Sequence, residues 1–159
     1  VVVFLKFYYR HIETNDVIFL LLPTNFLIEI VTFSTSRFIL HEGYFYDNLN
    51  ILIDKSCAGF NFFMICFCML GFLFIQYIKS TFKKIGSLLL AFLLAYSFTI
   101  LANTSRILCL IFVQHFAIQT TSFLKESIHL AIGVLVYLVF LILIYWVFES
   151  ILNLYYKKI

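Results

Sequence analysis

From Phe60 to Ile78 the chain carries no charged residue. That length is close to the roughly 20 predominantly apolar residues a bilayer-crossing helix needs. Ile85 to Ala102 and His129 to Phe148 are two further runs without Asp, Glu, Lys or Arg. Hydrocarbon cannot satisfy backbone N–H and C=O groups, so a spanning segment must be a helix or part of a closed barrel. These runs are continuously apolar rather than alternating, which selects helices. The chain is 64% hydrophobic and 12% charged over 159 residues, against about 25% charged for a soluble domain. The reading is an all-α integral membrane protein, a multi-pass helical bundle in which residues 1–159 form a single transmembrane domain. A formal net charge of +3 provides no basic stripe for nucleic acid. The partner implied by composition is the lipid bilayer.

Lysines orient the bundle. Lys79, Lys83 and Lys84 follow the first clear span, and Lys157 and Lys158 follow the last; such clusters mark cytoplasmic ends. The opposite end of each span then faces the extracytoplasmic side. The opening Val1 to Tyr9 reads as the remnant of a first helix whose start is missing. Val17 to Phe33 is apolar but contains Pro23 and Glu29, and a glutamate within a span is costly. It reads as a helix at the interface or re-entering, with Pro23 near its first turn; a spanning helix is the competing reading. Arg37–Leu40 and Asn48–Ile53 are β-prone and flank His41–Asp47, predicting a small extracytoplasmic hairpin before the Cys-bearing helix. Ile107 to Ile118 is too short to span and either finishes the preceding helix or runs along the outer interface. Gln119 to Ser127 reads as a polar turn.

This topology gathers three chemically capable residues near the outer boundary, each on a different helix. Cys57 enters the first clear span, Arg106 ends the second and His129 opens the third. A thiol at a helix N-terminus is favoured as thiolate by unpaired N–H groups and the helix dipole, and Lys55 adds a cation. Ala58 and Gly59 leave room for a second backbone or a substrate carbonyl beside the sulfur. Asn103 lies three residues before Arg106 on one helix face, where its amide can hold the guanidinium. Each residue also has a plainer reading. A lone cysteine usually packs as a small hydrophobe, a membrane-end arginine reaches headgroups, and a helix-end histidine sits at the interface. His115 is a rival to His129; His11 and His41 lie in polar loops. Cys66, Cys68 and Cys109 read as packing residues, since positions two apart on a helix point to different faces and make poor shared metal ligands. No cofactor-binding glycine loop, zinc-protease helix motif or Gly-x-Ser-x-Gly elbow is present, and no metal site is expected.

Lys55-Ser56-Cys57-Ala58-Gly59-Phe60-Asn61, followed by Asn103-Thr104-Ser105-Arg106 and by His129 with Gly133 four later, resembles the exosortase/archaeosortase family of membrane transpeptidases. The Pro23-Thr24 segment leading through Glu42-Gly43-Tyr44 to the cysteine is most similar to the exosortase K subgroup. The resemblance runs over nearly the whole chain. It implies a cysteine peptidase or transpeptidase in the cytoplasmic (inner) membrane with its active site on the extracytoplasmic side. The implied partner is a membrane-anchored protein carrying a C-terminal sorting tail, processed without a cofactor. Cys57 would be the nucleophile, His129 the general acid/base and Arg106 the stabiliser of developing negative charge, with Lys55, Gly59 and Asn103 in support.

Two other classes fit the composition. A small non-catalytic assembly subunit would use its 21 Phe and 10 Tyr for helix packing and would tolerate Cys57→Ala. A transporter subunit would need His129 but not Cys57, and often shows internal repeats; the sequence has no convincing one.

Overall fold

The computed structural model describes residues 14–49, 51–78, 80–116 and 122–156, with side chains described at all of these except 14, 15, 81, 114–116, 122–129, 155 and 156. Val1 to Tyr9, expected as a helix remnant, lies outside them. After a 3-10 turn at Thr14–Val17 come helix α1 (Ile18–Thr32), strands β1 (Arg37–Ile39), β2 (Gly43–Tyr46) and β3 (Ile51–Ile53), and a 3-10 turn at Lys55–Cys57. Helices α2 (Phe60–Tyr77), α3 (Thr81–Phe116) and α4 (Ser122–Tyr156) follow. Among the described residues, three stretches are long and apolar enough to cross a membrane: Lys55–Tyr77, Phe82–Val113 and Leu130–Leu154. The fold is the multi-pass helical bundle expected.

Helix α3 is the axis, touching α1, α2 and α4. Along its contact with α2 it presents Ala91, Ala95 and Ala102, all fully buried, to Phe62, Phe63, Leu70 and Phe74. Small residues on one helix let bulky ones on the next approach closely, the packing that holds helices together where lipid removes the hydrophobic drive. Helix α4 turns Val134, Leu135, Leu138, Ile142 and Trp146 outward, as a lipid-facing surface does. The chain runs helically through Phe116, so Ile107 onward finishes α3 rather than turning along the interface. Helix α4 begins at Ser122, so most of the expected polar turn is its first two turns.

Helix α1 has 15 residues, or about 22 Å at ~1.5 Å per residue, short of the ~30 Å hydrocarbon core. Pro23 lies in its interior, not at its first turn. Proline has no N–H for the carbonyl four residues back, and here the Tyr96 hydroxyl of α3 donates to that Phe19 carbonyl at 2.8 Å. The helix continues because a neighbour replaces the missing donor. Its C-terminus is clasped by Glu29, whose Oε1 accepts from the Ser36 backbone N–H at 3.0 Å and the Ser36 hydroxyl at 2.6 Å. Those bonds hold the Glu29 carboxyl below the usual carboxylate range.

The expected hairpin is a three-stranded antiparallel sheet in the order β1-β2-β3. The segment read as its turn supplies the middle strand, with Phe38 opposite Tyr44 and Tyr44 opposite Ile53. Gly43 permits this: its φ is +125°, and a Cβ would lie 2.2 Å from the Ile53 carbonyl oxygen. Buried Tyr46 ties the sheet to α1 by donating to Asn25 Oδ1 at 2.8 Å. A core of Val17, Leu20, Leu21, Ile28, Tyr46 and Ile53 closes over Cys57, Ala58 and Ile107.

Candidate active site

Strand β3 delivers the chain to Asp54, whose carboxylate accepts from the Ser56 N–H at 3.0 Å and the Ser56 hydroxyl at 2.6 Å. This cap starts the 3-10 turn that carries half-buried Lys55 and ends at Cys57. Cys57 is thus three residues before α2, not in its first turn, and is only 7% exposed. The Ser56 hydroxyl lies 3.9 Å from its sulfur. Gly59, at φ +70°, reverses the chain into α2. The space left by its missing side chain is filled: a Cβ would sit 3.0 Å from the Asn103 amide. That room was expected to admit a substrate group; it admits Asn103.

Asn103 is 1% exposed and donates through Nδ2 to the Cys57 carbonyl. Its Oδ1 accepts from the Tyr137 hydroxyl of α4 at 2.6 Å, and the Tyr137 oxygen accepts from Arg106 Nη1 at 3.2 Å. The guanidinium therefore does not rest on the Asn103 amide, as the three-residue spacing suggested; Tyr137 stands between them. Arg106 is 8% exposed and lies 5.4 Å from the Tyr137 ring centre. It passes over Gly133, where a Cβ would come within 2.9 Å of its Nε. That Nε is buried and has no hydrogen-bond partner among the described residues.

Four residues on three chain segments thus converge: Cys57 before α2, Asn103 and Arg106 on α3, and Tyr137 on α4. His129 lies on α4 one helical turn before Gly133 and two before Tyr137, in one i, i+4 row; its side chain is outside the described ones. His115 lies on α3 more than two turns beyond Arg106, and its side chain is likewise outside. Tyr137 is the residue that sequence reading missed. Its signal was the row His129, Gly133, Tyr137, which sets it on the face shared by the histidine and the glycine. Cys66 is fully buried, as a packing residue should be, whereas Cys68 and Cys109 are exposed on the bundle surface.

A guanidinium buried among membrane-spanning helices, with its Nε–H unpartnered among the described residues, is not a snorkelling side chain, which would carry its charge out to the headgroups. The bundle and this site define a multi-pass membrane protein with a polar centre at one end of its spans. The chain belongs to the transmembrane exosortase family: the family model Transmembrane exosortase (Exosortase_EpsH) matches residues 19–146, from α1 to the second half of α4. Neither a curated protein nor a solved structure gives a match to the chain.

Proposed function

We propose that this chain is a cysteine-dependent transpeptidase or peptidase that processes C-terminal sorting tails of exported proteins at the extracytoplasmic face of the cell membrane. The observation that carries the reading is Arg106: a buried cation shared between α3 and α4, joined through Tyr137 and Asn103 to the Cys57 backbone, with Nε unpartnered among the described residues. In the first step the Cys57 thiolate attacks the scissile carbonyl, and Arg106 donates to the tetrahedral oxyanion. The C–N bond then breaks as His129 protonates the leaving amine, and a thioester remains on Cys57. An incoming amine completes transpeptidation and water completes hydrolysis, either one restoring the thiol. Donors aimed at a developing oxyanion are typically worth about 3–4 kcal/mol each.

Lysine placement and helix spacing support the extracytoplasmic side. Lys84 to Arg106 is about 33 Å along α3 at ~1.5 Å per residue, close to one hydrocarbon thickness. With Lys83 and Lys84 cytoplasmic, Arg106 and Cys57 fall at the outer boundary. Similarity in the segment from Pro23 to Cys57 favours an exosortase K type of enzyme. The test is a reporter bearing a candidate C-terminal tail, expressed with the full chain. Processing should stop with Cys57→Ala, Arg106→Ala or His129→Ala and persist with His115→Ala. Normal processing with Cys57→Ala would overturn the reading and favour a non-catalytic subunit.

A further inference from the structure

Tyr137 lies outside the Cys57, His129 and Arg106 chemistry, yet its hydroxyl is the joint of the site. It accepts from Arg106 Nη1 at 3.2 Å and donates to Asn103 Oδ1 at 2.6 Å. Asn103 in turn donates to the Cys57 carbonyl. Tyr137 and Asn103 each accept from the group before and donate to the group after, so the series runs in one direction from the cation to the backbone of the nucleophile, and such chains strengthen one another in a low-dielectric interior. The ring is fixed independently by Phe62 of α2, with centroids 5.0 Å apart. Gly133, one turn earlier, clears the path by which Arg106 reaches the hydroxyl.

We infer that Tyr137 is the positioning residue of this active site: its hydroxyl locks the Arg106 guanidinium and the Asn103–Cys57 backbone contact into one geometry. The inference rests on the peptidase reading for its consequence in catalysis, but its geometric content stands without it. Without the hydroxyl, Arg106 Nη1 and Asn103 Oδ1 both lose a partner inside the bundle, and the guanidinium is released to other rotamers. Tyr137 itself touches no reacting atom.

The experiment is a double-mutant cycle on full-length protein with Cys66, Cys68 and Cys109 replaced by Ala. Alkylation of Cys57 by a small maleimide is followed against pH in the parent, Tyr137→Phe, Arg106→Ala and the double variant. Phenylalanine keeps the ring against Phe62 and removes only the oxygen. The alkylation profile of Tyr137→Phe should move toward that of Arg106→Ala, and the double variant should match Arg106→Ala within about twofold, the scatter expected of a shared pathway. Tail processing by Tyr137→Phe should lose about ten- to a hundredfold in kcat, as for a lost hydrogen bond to a charged group, with KM little changed. A Tyr137→Phe profile equal to the parent, or losses that simply add in the double variant, would overturn the inference. If Cys57→Ala leaves processing intact, the peptidase reading fails separately, and the alkylation cycle alone decides the role of Tyr137.

Discussion

Gly59 and Asn103 occupy one space: the amide of Asn103 on α3 packs where a side chain on Gly59 would stand, 3.0 Å from its Cβ position. Gly59 also holds φ +70°, a conformation that costs other residues roughly 1–2 kcal/mol. Gly59→Ala should therefore destabilise the protein by at least that amount and turn the Asn103 amide off the Cys57 carbonyl. Thermal unfolding in detergent reads the first effect and loss of tail processing the second. A variant with the parental melting temperature would contradict the assigned contact.

Gly133 separates stability from activity. It lies inside α4, where alanine is ordinarily more favourable than glycine by about 0.5–1 kcal/mol. Its Cβ would nevertheless meet Arg106 Nε at 2.9 Å. Gly133→Ala should fold at least as well as the parent while displacing the guanidinium, and misplacement near 1 Å can cost on the order of a hundredfold in rate. Melting temperature and processing rate, measured on one preparation, should move in different directions.

The spans were legible because lipid imposes a simple rule, long uncharged runs, and α2 begins and ends within a residue or two of the run from Phe60 to Ile78. That Cys57 and Arg106 sit toward one end of the bundle was legible from the span boundaries together with Lys83 and Lys84, which orient two antiparallel helices. What stayed hidden depended on partners distant in sequence. Gly43 reads as a turn residue, and only the close approach of Ile53 makes it part of a central strand. Pro23 reads as a helix start because its interior position needs the Tyr96 hydroxyl. Tyr137 is one of 10 tyrosines in an aromatic-rich chain, and composition cannot separate it from lipid-facing ones.

The Tyr96 contact is itself testable. Tyr96→Phe leaves the Phe19 carbonyl without the donor that replaces the Pro23 N–H, at a cost of about 0.5–1.5 kcal/mol, the usual net worth of one hydrogen bond. Pro23→Ala restores a backbone donor and should recover most of that loss when combined with Tyr96→Phe. Equal destabilisation by Tyr96→Phe in both backgrounds would show that the hydroxyl does not serve this carbonyl.

Glu29 makes the clasp on α1 sensitive to acid. Hydrogen bonds from Ser36 lower its pKa in the folded state from the ordinary value of 4.5. A depressed folded value means that the contribution is fully present above the unfolded pKa and is lost as pH falls through the folded one. The melting-temperature gap between the parent and Glu29→Gln should hold from pH 7 down to about pH 5 and shrink below about pH 4, near the free glutamate value. A gap that widens on acidification would reverse the assignment.

The most direct test of the central claim is the side from which Cys57 is reached. In intact cells expressing the protein with Cys66, Cys68 and Cys109 replaced by Ala, a membrane-impermeant maleimide should label Cys57 from outside. Because the thiol is only 7% exposed, labelling should be slower than at a surface cysteine and should change with Arg106→Ala. Labelling that appears only after the membrane is permeabilised would place Cys57 and Arg106 on the cytoplasmic side and contradict an extracytoplasmic tail-processing site.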